Sequence, residues 1–227
     1  ATLNRLGSFF APVSNWMMKS DVIKDLMQDL VGIDSRRTLP DFSSQTFRQW
    51  HRARNRSQQN TQHSKNTVVL FLDTFTNYNY PQIGIAAIKV LEALNYEVVI
   101  PPSKCCGRPM LSSGMLDKAR KNALDNVKFV LPYLKSGAKL VGLEPSCILS
   151  FRDDYVDLLN DERVNLVAEN TMLIEEFILY AIKNGASLEF KNPPRDVLVH
   201  GHCHQKALVG MKDIMNVLNM VLGCDAT

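Results

Sequence analysis

Cysteine is scarce in this chain: five residues in 227, an odd number that cannot pair completely. Small secreted scaffolds stapled by disulfides carry far more, so that class is excluded and the compartment reads as reducing. No uninterrupted apolar run approaches the roughly 20 residues of a membrane span. The opening ATLNRLGSFF lacks the basic region, long apolar run and small-residue cleavage site of a signal peptide, so none is expected. Nucleic-acid-binding motifs are missing too. With 11 glycines and 10 prolines the chain is not collagen-like. What is present is ordinary for a globular protein: 45% hydrophobic and 22% charged residues, enough for one or two domains with a sizeable core.

The net charge of +3 conceals an asymmetry. Residues 1–65 contain ten Lys/Arg against five Asp/Glu, whereas residues 66–227 contain sixteen against eighteen. The excess lies mostly in Arg36, Arg37, Arg48, Arg52, Arg54, Arg56 and Lys65. Such a cluster can bind nucleic acid or anionic lipid. Without a nucleic-acid motif, a solvated linker or a surface facing an acidic partner domain is the favoured reading.

The first segment has helical spacing. Val22, Ile23, Leu26, Met27 and Leu30 share one face behind Ser20, a plausible N-cap. Phe9, Phe10, Val13, Trp16 and Met17 cluster before it, and a short helix is expected around Phe47 and Trp50. Asn55 to Asn66 contains no apolar residue and reads as a linker. The expected division is therefore a helical connector with polar linker over 1–65 and an α/β domain over 66–227.

From Asn66 onward, strands alternate with helices. Val68–Leu72, Val98–Ile100, Lys139–Leu143 and Val197–Val199 read as strands. Helices are expected over Ile83–Leu94, with Asn95 as its left-handed cap, over Ser113–Leu134, over Thr171–Lys183, and over Gln205–Leu222. Wholly apolar strands alternating with helices indicate an α/β fold. The expectation is a Rossmann-like parallel sheet with helices on both faces, preceded by a short helical amino-terminal extension.

Reactive residues fall at the expected strand ends. Asp73 follows the first strand, Cys105-Cys106-Gly107 the second, Glu144-Pro145-Ser146-Cys147 the third, and His200-Gly201-His202-Cys203-His204 the fourth. In an open α/β sheet the carboxyl ends of the strands form one ligand-binding edge. Three readings of that rim stay open. Thiolate and imidazole suit a metal or iron–sulfur site, where adjacent cysteines reach different irons and Gly107 lets the backbone turn close. A Cys/His nucleophilic enzyme is the second, weakened because no cysteine has a uniquely paired base. Cysteines buried as small hydrophobes are the third. His202 and His204 fit ligand, hydrogen-bonding or capping roles, and Glu144 fits either a rim acceptor or a helix cap. His51 and His63 read as solvated, and Cys224 as an incidental thiol.

The segments VVLFLDTFTNY, PQIGIAAIKVLEALNYEVVIPPSKCCGRPM, VGLEPSCILSFRDDY and VLVHGHCHQKALVG together resemble the cysteine-rich CCG domain. That domain occurs in the cysteine-rich subunit of heterodisulfide reductase, in the iron–sulfur subunit of glycolate oxidase, and in related lactate and glycerol-3-phosphate dehydrogenase subunits. The nearest likeness is to bacterial fusions of an FAD-linked oxidase with an iron–sulfur region. FFAPVSNWMMKS, GIDSRRTLPDF and TFRQW are similar to their connector. By this resemblance Cys105, Cys106 and Cys147 match thiol positions of a first repeat, and Cys203 the opening cysteine of a second. The resemblance implies an iron–sulfur cluster of 4Fe-4S type held by these four in the intact protein. Asp73, Gly107, Glu144, His200, His202 and His204 would support it from behind.

Two departures matter. Asp73 stands where many repeats have their first cysteine, and Cys147 is followed by Ile148-Leu149-Ser150 rather than a second thiol. The expectation is a fragment with one complete and one truncated repeat, empty of cluster by itself and without a catalytic residue of its own. The implied function is electron transfer within an FAD-linked oxidoreductase that oxidises a 2-hydroxy acid such as glycolate or D-lactate. The implied partners are flavin and ferredoxin-like domains of the same polypeptide or complex and an acceptor such as a quinone. Nucleic acid and a transmembrane segment are not expected. The implied location is the cytoplasm or the inner membrane face. A metal-free or zinc-binding interaction module is the rival reading, and a Cys/His hydrolase the third.

Overall fold

The structure is a computed structural model that describes residues 2–57, 66–189 and 197–222. It divides into two compact units: residues 1–61 with 74–85, and residues 62–73 with 86–227. In chain order the first helices are α1 (Thr2–Phe9), α2 (Ala11–Lys19), α3 (Asp21–Val31) and α4 (Phe47–Ser57). Strand β1 (Asn66–Phe71), α5 (Thr74–Tyr78), α6 (Pro81–Ala93) and β2 (Tyr96–Val99) follow. Then come α7 (Arg108–Ser112), α8 (Leu116–Lys135), β3 (Lys139–Gly142), α9 (Pro145–Leu149), α10 (Asp154–Leu158) and α11 (Glu162–Glu169). The chain continues through β4 (Thr171–Leu173), α12 (Ile174–Lys183), α13 (Cys203–Leu208) and α14 (Lys212–Leu222).

The second unit is built on one sheet of order β2-β1-β3-β4, with every pair parallel. Val68 pairs with both Val98 and Lys139, and Val69 with both Val99 and Leu140. Strand alternation then splits the apolar residues between two cores. Val69, Phe71, Leu140 and Leu173 face a core completed by α8, α9, α10 and α11. Val68 and Val141 face another, completed by residues of α6, α12 and α14. The parallel sheet is therefore covered on both faces, as the apolar strands require. Close packing of α9 on β3 depends on Gly142, where a Cβ would run into the Ile148 side chain.

Three expectations change. Val197–Val199 is not a strand, and Leu198 is 89% exposed. The fourth place in the sheet belongs to β4, where sequence periodicity predicts the first turn of a helix. Thr171 and Leu173 are buried on either side of Met172 and register on Leu140 and Gly142. Three residues are too few to impose a period-two signal on the helical pattern that follows. The helix expected over Gln205–Leu222 is two, because Gly210 takes φ +75° and its N–H and that of Val209 both donate to the Gln205 carbonyl. In the expected linker, Asn55 to Ser57 close α4 and Asn66 opens β1, while 58–65, with His63 and Lys65, lie outside the described residues. Asn95 does take the left-handed conformation, at φ 66°.

The amino-terminal unit is held by local polar contacts. Asn15 Nδ2 donates to the Phe42 carbonyl (2.9 Å), and its Oδ1 accepts the Phe42 N–H (2.8 Å). The Ser8 hydroxyl donates to the Ser43 carbonyl. Thr46 and Gln49 form a reciprocal cap at the start of α4. The faces of α1 to α3 that read as apolar stripes are largely exposed: Leu3, Val13, Trp16, Val22 and Leu30 all face solvent.

Candidate functional site

The strand order reverses direction between β1 and β3, which makes their carboxyl ends a topological switch point. Asp73, buried, leaves β1 there, and Glu144 and Cys147 leave β3. The loop after β2 brings Cys105 and Cys106 to the same edge, tied to the end of β1 by the Ser103 hydroxyl, which donates to the Leu72 carbonyl (3.3 Å). Cys106 and Cys147 stand 41 residues apart in sequence, yet their Sγ atoms are 3.2 Å apart. Cys105 precedes Cys106 in the same loop and packs against the same core cluster. Two of the four singled-out thiols therefore meet, with a third beside them.

The Cys-Cys loop is fixed by a buried polar frame. Asn126 of α8 accepts the Lys104 N–H (2.7 Å) and donates to the Lys104 carbonyl (3.3 Å) and the Tyr155 hydroxyl (3.0 Å). The Tyr155 hydroxyl in turn donates to the Cys106 carbonyl (2.8 Å), and Asn122 Nδ2 donates to that of Cys105 (3.2 Å). Gly107 turns the chain into α7 at φ +96°, a conformation that a side chain strains. Sequence reasoning missed Asn126, Tyr155 and Asn122. The signal for Asn126 was present: it shares the buried face of α8 with Ala119, Ala123, Val127, Val130 and Leu134, a polar residue on an apolar stripe.

The thiols are held neutral. The hydrogen bond of Cys105 to Cys106, and then burial, push the Cys105 thiol far above its ordinary value. For Cys106 the bond from Cys105 lowers the value, but its own bond to Cys147 and its burial outweigh that, and it is pushed up to about 12. The bond from Cys106 lowers Cys147, while burial and the charges of Glu144 and Asp73 raise it above the usual thiol range. Tyr155 is also held protonated by burial.

The histidine segment reaches this edge without a strand beneath it. His202 caps α13, its Nδ1 accepting the His204 N–H (3.2 Å). Its Nε2 lies 3.3 Å from Ser146 Oγ and 3.8 Å from Glu144 Oε1. Glu144 caps α9 by accepting the Cys147 N–H (2.6 Å), so it serves both expected roles. His204 Nε2 is 4.0 Å from Asp153 Oδ2, and its buried Nδ1 has no hydrogen-bond partner. Gln205 Nε2 donates to the buried Glu175 carboxylate at the head of α12. Cys203 opens α13 and is exposed, as is His200. Cys224 lies outside the described residues.

Among the described residues no three His, Cys, Asp or Glu side chains converge as for a single metal ion. The donors that do meet are soft sulfur atoms, with two carboxylates beside them that disfavour thiolate in the absence of a cation. That chemistry fits a thiophilic, cationic, multinuclear group better than one tetrahedral ion, since a cluster spreads its ligand positions over several metal atoms.

Residues 69–152, which contain Asp73, Cys105, Cys106, Glu144 and Cys147, match the CCG cysteine-rich domain family. Over 220 residues the chain is 32% identical to a subunit of the anaerobic glycerol-3-phosphate dehydrogenase of Escherichia coli, covering 96% of this chain and 54% of that protein. It is 25% identical to D-2-hydroxyglutarate dehydrogenase of Escherichia coli over 75% of this chain and 17% of that one. It is 28% identical to lactate utilization protein A of Bacillus licheniformis over 70% of this chain and 67% of that protein. The chain thus spans about half the length of the glycerol-3-phosphate dehydrogenase subunit. No solved structure matches. No helix among the described residues is long and apolar enough to cross a membrane.

Proposed function

We propose, from the match of residues 69–152 to the CCG cysteine-rich domain family, that the chain is the iron–sulfur electron-transfer portion of an FAD-linked oxidoreductase acting on a 2-hydroxy acid. The observation that carries this is the meeting of Cys106 and Cys147 at the switch point, 3.2 Å apart at sulfur, with Cys105 adjacent in the same loop. Cys203 would complete the set offered by these residues, and further ligands would come from outside them. When bound, the cluster supplies one-electron exchange between a flavin that has taken two electrons from substrate and a distal acceptor such as a quinone. Glycolate, D-lactate or a similar hydroxy acid is the favoured substrate. Two of the three relatives carry lactate or 2-hydroxyglutarate in their names, and the third carries glycerol-3-phosphate, another small hydroxylated anion.

The chain's own residues do the holding. Tyr155 and Asn126 fix the carbonyls of the Cys-Cys loop, so the two thiols present the same face in every molecule. Burial of Cys106 keeps water from its sulfur. Glu144 and His202 Nε2 face one another beside Cys147, where they would set the local charge and with it the potential of bound metal. Ligation displaces the thiol protons, so assembly should release protons and weaken as pH falls.

Anaerobic reconstitution with iron and sulfide tests the reading. The 227-residue chain should retain clearly less than one cluster per molecule. A longer polypeptide that includes the flanking domains should retain a full complement, visible by electron paramagnetic resonance. Cys106→Ser or Cys147→Ser in the longer polypeptide should remove that signal and leave flavin reduction by substrate intact. Full iron and sulfide in those variants would sink the ligand assignment. A stable stoichiometric cluster on the 227-residue chain alone would sink the incomplete ligand set.

A further inference from the structure

The basic cluster near the amino terminus is not absorbed by the electron-transfer reading. Within the amino-terminal unit, part of it lines a cavity of about 870 Å³. Arg48 and Arg52 line it from α4 and Arg5 from α1, with Ser44 and Tyr78 beside them. No acidic side chain lines it among the described residues. We propose that this cavity binds a small soluble phosphate ester through Arg5, Arg48 and Arg52.

Three physical observations carry the proposal. Arg48 and Arg52 lie one turn apart on a helix, FRQWHRARNRS, that contains no acid at all. Like charges at that spacing destabilise a helix by a few tenths of a kcal/mol, a cost that a bound anion reverses. The Arg48 guanidinium sits below its ordinary value, first because it is buried and then because Arg52 is beside it. The frame is also built rather than incidental. The Arg48 N–H donates to the buried Asn77 side chain (3.1 Å), and the Ser43 N–H donates to the Tyr78 carbonyl (2.7 Å).

Guanidinium forks match phosphate oxygens, and three of them offer more donors than one carboxylate accepts. The cavity is far larger than a phosphate group, and Leu6 and Phe9 supply apolar wall for the organic part. This inference stands on its own geometry and needs no cluster.

Sodium pyrophosphate is the probe, titrated calorimetrically into the 227-residue chain at low ionic strength. One saturable site is expected. Arg48→Gln and Arg52→Gln should each weaken it about tenfold, and Arg5→Gln by about threefold or more. Arg48→Lys, which keeps the charge but loses the fork, should fall between wild type and Arg48→Gln. Arg36→Gln, an equally basic position paired with Asp34 outside the cavity, should change nothing. Circular dichroism identifies any variant that has unfolded, and Arg48→Lys then decides the question. Absence of saturable binding, or an equal loss in Arg36→Gln, overturns the site. Binding to phosphatidic-acid vesicles with none to pyrophosphate overturns the soluble ester.

Discussion

The two compact units spend their apolar residues in opposite ways. In the sheet unit, Val68, Val69, Leu70, Leu140 and Val141 are fully buried, and the segments that cover them add Phe151, Tyr155 and Phe177. In the amino-terminal unit, α1 to α3 have equally clear apolar spacing but bury little more than Ala11, while Trp16 remains 72% exposed. Amphipathic spacing therefore says that a helix can pack, not that it does. A strand buried on two faces has no such freedom, since its neighbours must cover it. The unit with the buried sheet carries the thiols, whose placement must be held to a fraction of an ångström. The amino-terminal unit carries cations, which act over longer distances.

The sharpest way to break this contrast is to remove one large apolar side chain from each unit. Phe177 is fully buried against Tyr96 and Tyr180, so Phe177→Ala should cost about 3–5 kcal/mol. Trp16→Ala should stay within about 0.5 kcal/mol, as for an exposed site. Urea unfolding followed by circular dichroism measures both. A Trp16→Ala cost near that of Phe177→Ala would mean that the face of α2 is packed, and the contrast would collapse.

A smaller effect separates the polar bridges of the two units. Tyr155→Phe leaves the Cys106 carbonyl without its hydroxyl donor in a buried site and should cost about 1–3 kcal/mol. Asn15→Ala removes two bonds to Phe42, but water can replace them at a part-buried position, and about 1 kcal/mol is expected. The same Tyr155→Phe chain should show faster hydrogen exchange at Gly107 and Arg108, which Asn15→Ala leaves alone. If the two variants shift the urea midpoint equally and neither alters that exchange, the Tyr155 bridge is not what fixes the cysteine loop.

These contrasts also mark what could be read in advance. Three strands were legible because runs such as Val68–Phe71 are apolar on both faces. The fourth was not, because Thr171–Leu173 is too short to show a period, and Val197–Val199 looks like a strand in composition alone. The thiols were legible as motifs, but their meeting across 41 residues depends on strand order, which periodicity does not encode. Asn126 and Tyr155 act only through one another and through the backbone, so neither has a motif to announce it. Arg48 and Arg52 show their common face at i and i+4, whereas Arg5 joins them only through the packing of α1 against α5.

The smallest expected effect is a difference in sign. Glu175, buried at the head of α12, is held above the ordinary carboxylate range, first by burial. Its folded state binds a proton more readily than the unfolded chain does, so its contribution is greatest at low pH and is lost as pH rises from the unfolded value through the folded one. Asp34 in the amino-terminal unit is held below its ordinary value by the side chain and N–H of Arg36. Its contribution is present above the unfolded value and is lost as pH falls through the folded one. Glu175→Gln should therefore gain stability relative to wild type as pH rises from 4 to 7, and keep the Gln205 contact through its amide oxygen. Asp34→Asn should lose stability relative to wild type as pH rises from about 2 to 4, the window of a lowered carboxylate, and should change little above it. The effect is the smaller one because the pair is exposed and screened by salt. Urea midpoints of both variants at several pH values decide the matter. Parallel slopes would show that burial of Glu175 does not govern its proton, and the two units would then differ in packing but not in electrostatics.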